Sequence, residues 1–531
     1  MRLPVASTAL LRLPRLLGAA ASVTMLAQPS FKSMLGAPPD QFTLDCMGFI
    51  DGSPDPFHVT DNLGKRLKGA GFTEINERDP WSGVLKPGGR YYYARDRTTF
   101  VAFTVGEKYE PGNGFKVLGA HTDSPNLKLK PRSQRDGKKG KNGCLQLDVQ
   151  CYGGGLWHTW FDRDLSVSGR VFVRGADGSV AQRLLKIEQP ILRVPNLAIH
   201  LTTADEREAF KINKEEHMQP ILADSLLAFE LASAARKALG APVEAEAAAE
   251  ADAEKGGAAA GKTEPWNEAQ EPVLLHLIAA QLGVEVAQIA DFELNLYDTQ
   301  RAALGGAHGE FLYSARLDNL ASCYVCTEAL VAHAAEHLAA DTDVSLCTFF
   351  DHEEVGSASA CGAGSPIMGE AVRRISTALN AGAGNEDLYA AALRRSLVFS
   401  VDMAHAVHPN YASKHESMHG PQMNQGLVIK TNANQRYATT GLTSYMAREI
   451  ARRGALPPPQ EFVVRNDCPC GSTIGPIIAA ATGMRAVDVG MPQLSMHSVR
   501  EMMGVKDLAH GLDMFKGFLK DFRAIDEEIG A

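Results

Sequence analysis

The stretch Val344-Ser345-Leu346-Cys347-Thr348-Phe349-Phe350-Asp351-His352-Glu353-Glu354-Val355-Gly356 sets an apolar run directly against two adjacent glutamates. The run up to Phe350 carries no charge and is rich in strand-forming residues, so it reads as a buried strand. Adjacent carboxylates repel, and the end of a buried strand is a poor place to leave two of them unpaired. A metal ion resolves the conflict: one glutamate binds it while the other stays free as a proton acceptor. An isolated Glu-Glu pair also reads as a solvated acidic turn, because glutamate is ordinarily exposed. The rest of the chain decides between the two.

The same pattern recurs elsewhere. Phe115 to Ala120 reads as a strand that runs into His121-Thr122-Asp123-Ser124-Pro125. Apolar strands precede Asp402 (Leu397 to Val401), Lys430 (Leu427 to Ile429) and Asn466 (Phe462 to Arg465), and Leu320 to Leu338 carries a helical apolar stripe. From about residue 293 the rhythm is strand, helix, strand, which predicts an α/β sandwich. In such sheets ligands bind beyond the carboxyl ends of the strands, which is where these polar residues stand.

At 531 residues the chain exceeds what one core supports, which favours two domains. Residues 36–127 and 293–531 read as one discontinuous α/β domain, interrupted at 128–292 by a smaller β-rich one. Strand patterns at Gly169 to Val173 and Pro190 to Val194 belong to the interruption, as does a helix at Pro272 to Leu282. An Ala/Glu/Gly tract at 241–263 lacks large apolar residues and reads as a surface insertion.

A net charge of -9, with no basic stripe interleaved with aromatics, argues against nucleic-acid binding. The one dense basic stretch, Lys128 to Lys141, reads as a solvated loop. No run reaches the length of a membrane span. Nine cysteines in so long a chain predict no disulfide framework, and Cys323 and Cys326 fall in an apolar helical pattern as buried thiols. A reducing compartment fits best. Before Asp40 there is no acidic residue, while Arg2, Arg12, Arg15 and Lys32 alternate with Leu, Ala and Ser. Residues 1–35 therefore read either as an organellar transit peptide, for mitochondrion or plastid, or as a disordered extension with no address.

His121, Asp318, Glu354, Asp402 and His497 stand out as metal ligands. Two imidazoles and three carboxylates suit a pair of borderline divalent ions such as zinc, with one carboxylate bridging. Taken singly, Asp318 reads equally as a helix N-cap, and His121 or His497 as a hydrogen-bonded core histidine. Gly153-Gly154-Gly155 reads as a tight turn, and Cys470-Gly471-Ser472-Thr473-Ile474-Gly475 as a turn opening a helix whose amides could hold a carboxylate.

Five motifs in order carry a wider likeness: Gly119 to Pro125, Arg316 to Leu320, Asp351 to Ser357, Asp402 to Pro409 and Gln493 to Ser498. From about residue 40 onward the chain resembles the aspartyl aminopeptidases of the M18 metallopeptidase family, except across the Ala/Glu-rich tract. The resemblance implies one Zn2+ held by His121 and Asp402 and another by Glu354 and His497, with Asp318 bridging. Carboxylate-rich ligation is permissive, which leaves exchange with Mn2+ or Co2+ open at one site. Asp123 would orient His121, and Glu353 would be the general base. Lys430 would receive the acidic first side chain of peptides led by Asp or Glu.

The resemblance makes 128–292 a dimerisation domain, from which His200 reaches the neighbouring subunit's site to stabilise the oxyanion. It implies a dodecamer built from dimers and a cytoplasmic location. Two other readings stay open: a carboxypeptidase or amide deacylase of the same clan, and a noncatalytic cargo or binding relative.

Overall fold

The computed structural model describes residues 39–135, 140–238 and 266–530. The transit-peptide reading and the 241–263 insertion lie outside the described residues.

Val344–Phe350 forms a strand with every residue buried. Successive side chains of a strand face opposite ways. Accordingly Phe349 packs into one hydrophobic cluster and Phe350 into another on the far side of the sheet. That sheet has nine strands, in the spatial order Thr73–Glu74, Arg90–Arg95, Thr99–Val105, Val344–Phe350, Phe115–His121, Leu397–Val401, Arg485–Gly490, Val428–Thr431 and Gln460–Val463. Four of these, Val344–Phe350, Phe115–His121, Leu397–Val401 and Arg485–Gly490, are mutually parallel, so their carboxyl ends share one edge. Helices Leu317–Glu336, Gly441–Arg453 and Val505–Ile529 cover one face, and Ile367–Leu379 and Ile474–Thr482 the other. This is an α/β sandwich of three layers.

A second sheet lies between these segments in sequence. Its six strands, all antiparallel and drawn from residues 126–298, pack on helix Pro272–Leu282 around a separate core. A third sheet of five short strands includes Ala404–His405 and Pro492–Leu494, which pair in parallel. Among the described residues no helix is long and apolar enough to cross a membrane. Cys323 and Cys326 are buried free thiols.

Three sequence expectations need correction. Pro190 to Val194 forms no strand: Leu192 and Arg193 make only single bridges, to Leu165 and Ile221. Lys430 lies inside its strand, not beyond it, and that strand runs antiparallel to Arg485–Gly490. Its carboxyl end therefore points away from the shared edge. The basic stretch that begins at Lys128 is not all loop: Asn126–Gln134 forms a strand of the six-stranded antiparallel sheet.

A buried ion pair ties the sheet to the C-terminal helix. Lys116 Nζ lies 2.8 Å from Asp341 Oδ1 and donates to Leu519 O, while His333 Nε2 lies 2.7 Å from Asp341 Oδ2. Burial favours the neutral acid, but the His333 hydrogen bond and the Lys116 charge outweigh it and hold Asp341 well below the usual carboxylate range. Its contribution to stability is thus present above the ordinary carboxylate pKa and is lost as pH falls through the folded value. Asp341→Asn removes the carboxylate that Lys116 bonds in the core, leaving only the charge of nearby Asp343, and is expected to cost about 3 kcal/mol. Urea unfolding at neutral pH checks this; a loss under about 1 kcal/mol would show that the pair is not needed.

Candidate metal centre

His121 closes the strand Phe115–His121, and Phe350 pairs opposite it, so the turn bearing Glu353 and Glu354 begins level with His121. Asp402 follows Leu397–Val401 directly. Beyond Gly490 the chain passes through Pro492–Leu494 to His497. Asp318 arrives from above, at the head of helix Leu317–Glu336, where Asp318 and Asn319 leave helical geometry and their peptide bond is cis. Arg316, His352, Ser495 and His497 all have positive φ. Such conformations are rare for residues with side chains and gather at functional sites.

These segments bring all five predicted ligands together. Asp318 lies between the two histidines: its Oδ1 is 3.2 Å from His121 Nε2 and its Oδ2 is 3.6 Å from His497 Nε2. Asp402 Oδ1 is 3.5 Å from His121 Nε2, and Glu354 Oε2 is 3.2 Å from His497 Nε2. His121, Asp318 and Glu354 each place a ligand atom within 4.8 Å of the others, so the two halves adjoin. Glu353 stands beside them with Oε2 3.9 Å from His121 Nε2.

The supporting residues are less visible in sequence. Asp123 Oδ1 and Oδ2 accept the backbone amides of Glu353 and Glu354 at 3.1 and 3.0 Å, and Tyr152 donates its hydroxyl to Asp123 Oδ2 at 2.6 Å. The carboxylate of Asp123 thus pins the Glu353-Glu354 turn, while its backbone carbonyl lies 3.0 Å from His121 Nδ1. Glu501 spans the opposite side, accepting the amides of Asp318 at 3.0 Å and His497 at 2.8 Å. His497 Nδ1 lies 3.1 Å from Gly154 O, which gives the glycine turn its part in the site. Nothing in the spacing of Tyr152 or Glu501 marked either one.

Lys430 is only 2% exposed. Its Nζ donates to Asp402 Oδ2 and to Met403 O, both at 3.2 Å. His200 sits on the exposed turn Ile199–Leu201, and no hydrogen bond or ion pair among the described residues joins it to the cluster.

The electrostatics call for more positive charge than these residues supply. Burial pushes the Glu353 carboxyl up to about 8, with Asp402, Asp123 and Asp318 adding to the rise and His121 opposing it. Burial and then Asp318 raise Glu354 well above the usual range. Burial disfavours the charged imidazole of His497, yet Asp318 and Glu354 outweigh it and push it up to about 10. Asp318 Oδ1 and Glu354 Oε1 are buried without a hydrogen bond. Nitrogen and oxygen donors of zinc-ligand type, crowded together with their lone pairs unused, fit divalent cations.

A family model described as aminopeptidase I zinc metalloprotease (M18) matches residues 49–519. A Ricinus communis protein named a probable aspartyl aminopeptidase is 48% identical over 91% of this chain and 96% of its own. The structure superposes on one from a cryo-EM study of an Ape4–Nbr1 complex with TM-score 0.81 and 39% identity, over 92% of this chain and 87% of that one. It also matches an S. cerevisiae mApe1 dodecamer at TM-score 0.77 and 27% identity, over 92% and 99%. The chain belongs to the M18 family of zinc metallopeptidases and is a metalloaminopeptidase.

Proposed function

We propose that the chain is a dinuclear zinc aminopeptidase that releases N-terminal Asp and Glu from peptides. The observation that carries the proposal is Asp318 set between His121 and His497, with Asp402 and Glu354 on either flank. His121 and Asp402 would hold one ion, Glu354 and His497 the other, and Asp318 both. Bound there, a pair of divalent cations supplies Lewis acidity toward water and toward the scissile carbonyl.

Glu353 does the proton work. It takes a proton from the attacking water and delivers it to the leaving amine nitrogen as the C–N bond breaks; the second water proton follows to the amine, so that the products are a carboxylate and an ammonium. Its neighbour Glu354 is turned toward His497, where its lone pairs would be committed to a metal ion. Asp123 holds the turn that sets Glu353 in place. Lys430 balances the charge of Asp402 and, 5.2 Å from the Tyr437 ring, adds positive potential beside the site. The acidic-substrate reading draws on the name of the Ricinus relative.

Assembly is part of the proposal. Leu197, Ile199 and Leu201 flank His200 and are 59–71% exposed, and Leu226, Leu227, Phe229 and Leu231 are exposed on helix Ser225–Ala238. Exposed apolar groups gathered in this way mark interaction surfaces. A second copy covering them, as in the dodecameric relative, would bring His200 to a neighbouring site, where it could stabilise an oxyanion. Leu227→Glu combined with Phe229→Glu is expected to reduce the particle to smaller species in light scattering. An unchanged mass would remove this helix from the interface.

The defining test is hydrolysis of fluorogenic Asp-, Glu- and Ala-led amides, with and without chelator. Cleavage of acidic substrates that stops on chelation and returns with zinc supports the reading. A requirement for a free carboxyl terminus would point instead to a carboxypeptidase, and no cleavage at all to a binding protein.

A further inference from the structure

The two halves of the metal cluster differ in what supports them. His121 is 1% exposed and is held from within the α/β domain: its Nδ1 meets Asp123 O, and Cys323 Sγ donates to its backbone carbonyl. The His497 side chain is 30% exposed, and the second domain reaches across to it. Its Nδ1 donates to Gly154 O at 3.1 Å, and Leu156 N donates to His497 O at 2.9 Å.

Gly154 belongs to the turn that follows Cys144–Tyr152, a strand of the six-stranded sheet. Tyr152, at the strand's end, donates to the Asp123 carboxylate that accepts the amides of Glu353 and Glu354. Gly153 has a φ of 77°, and a Cβ there would fall 3.2 Å from the Cβ of Glu354. Three consecutive residues of one domain thus bear on His497, on Glu354 and on the backbone of the Glu353-Glu354 turn. A carbonyl bonded to one ring nitrogen fixes the tautomer of a ligand histidine and aims the other nitrogen at the metal. Left-handed backbone packed this closely against a ligand is a glycine's position.

We propose that the turn Tyr152-Gly153-Gly154 is a positioning element for the Glu354–His497 half of the centre alone, so that the second domain completes one zinc site and not the other. The inference rests on the dinuclear reading above. It makes the interrupting domain part of the metal-binding apparatus of its own chain, separately from any part it has in assembly.

The test is equilibrium titration of full-length, chelator-stripped protein with zinc, for wild type, Gly153→Ala, Tyr152→Phe and Gly178→Ala. Gly153→Ala is expected to weaken one of two sites by about tenfold or more and to leave the other near wild type. Tyr152→Phe, which loses only the hydroxyl on Asp123, should weaken the same site less, and it decides the matter if Gly153→Ala does not fold. Gly178 also has positive φ, at 83°, on the second domain's hairpin, but a Cβ there meets nothing within 4 Å. Gly178→Ala therefore carries the backbone strain without the contact and should bind both ions normally. On a His497→Ala background, which keeps the His121–Asp402 ion, adding Gly153→Ala should change nothing further. Unchanged affinities in Gly153→Ala and Tyr152→Phe overturn the proposal. So does equal weakening of both sites, or a matching loss in Gly178→Ala, since either would make the turn merely structural. A wild-type chain that binds a single ion defeats the dinuclear reading itself, and this inference with it.

Discussion

Glu353→Gln is expected to lower kcat by about 10³-fold, in the range for loss of a general base, while KM and zinc content stay close to wild type. The amide side chain matches the carboxylate in size, and the backbone that positions it is untouched. Asp123 continues to accept the amides of residues 353 and 354. The five proposed ligands keep their full complement of donors. What disappears is a basic oxygen beside His121. Burial and three neighbouring acids raise the basicity of that oxygen, which suits it to take a proton from water. Steady-state kinetics with elemental analysis of the same preparation separates the outcomes. Retention of more than about a tenth of the wild-type rate would remove Glu353 from proton transfer, since a positioned base contributes at least about 10²-fold. A parallel loss of zinc would make it a ligand instead.

Much of this site was legible because the central strands are buried on both faces. Such strands read as continuous apolar runs, and Val344–Phe350 and Leu397–Val401 begin and end where the hydrophobic pattern does. The charged residue that follows each run is therefore conspicuous. Lys430 was misjudged for the same reason: an apolar run announces a strand but not its direction. Only the pairing with Arg485–Gly490 shows that this strand is reversed.

Tyr152 and Glu501 escaped notice because they lie outside the five motifs and act on other site residues, Asp123 and Asp318, that are distant in sequence. Glu501 is four residues from His497 but 183 from Asp318, and only folding brings both amides to one carboxylate. Pro190 to Val194 alternates like a strand, yet Pro190 and Pro195 bound it and neither can donate to a ladder. Asp123 was expected to act on His121 alone; its carboxylate also holds the Glu353-Glu354 turn, a role set by tertiary geometry.

Asp318→Ala tests the bridge. Among the described residues Asp318 is the carboxylate that faces both histidines, through different oxygens. Removing it leaves each proposed ion with one histidine and one carboxylate, too few protein ligands for stable zinc binding. Zinc content should fall from two per chain toward none, and activity by about 10³-fold or more. Chelated wild type should recover when zinc is returned; the variant should not.

Stability provides a readout independent of turnover. Ligands that bind only the folded state stabilise it, by about 4 kcal/mol per site at a free concentration 1,000 times Kd. Zinc should therefore raise the melting temperature of chelated wild type, and of Glu353→Gln equally, but hardly that of Asp318→Ala. Equal zinc-dependent shifts in all three proteins, with two ions still bound to Asp318→Ala, would mean that the ions are held without this carboxylate and that its place between the histidines serves only to fill space.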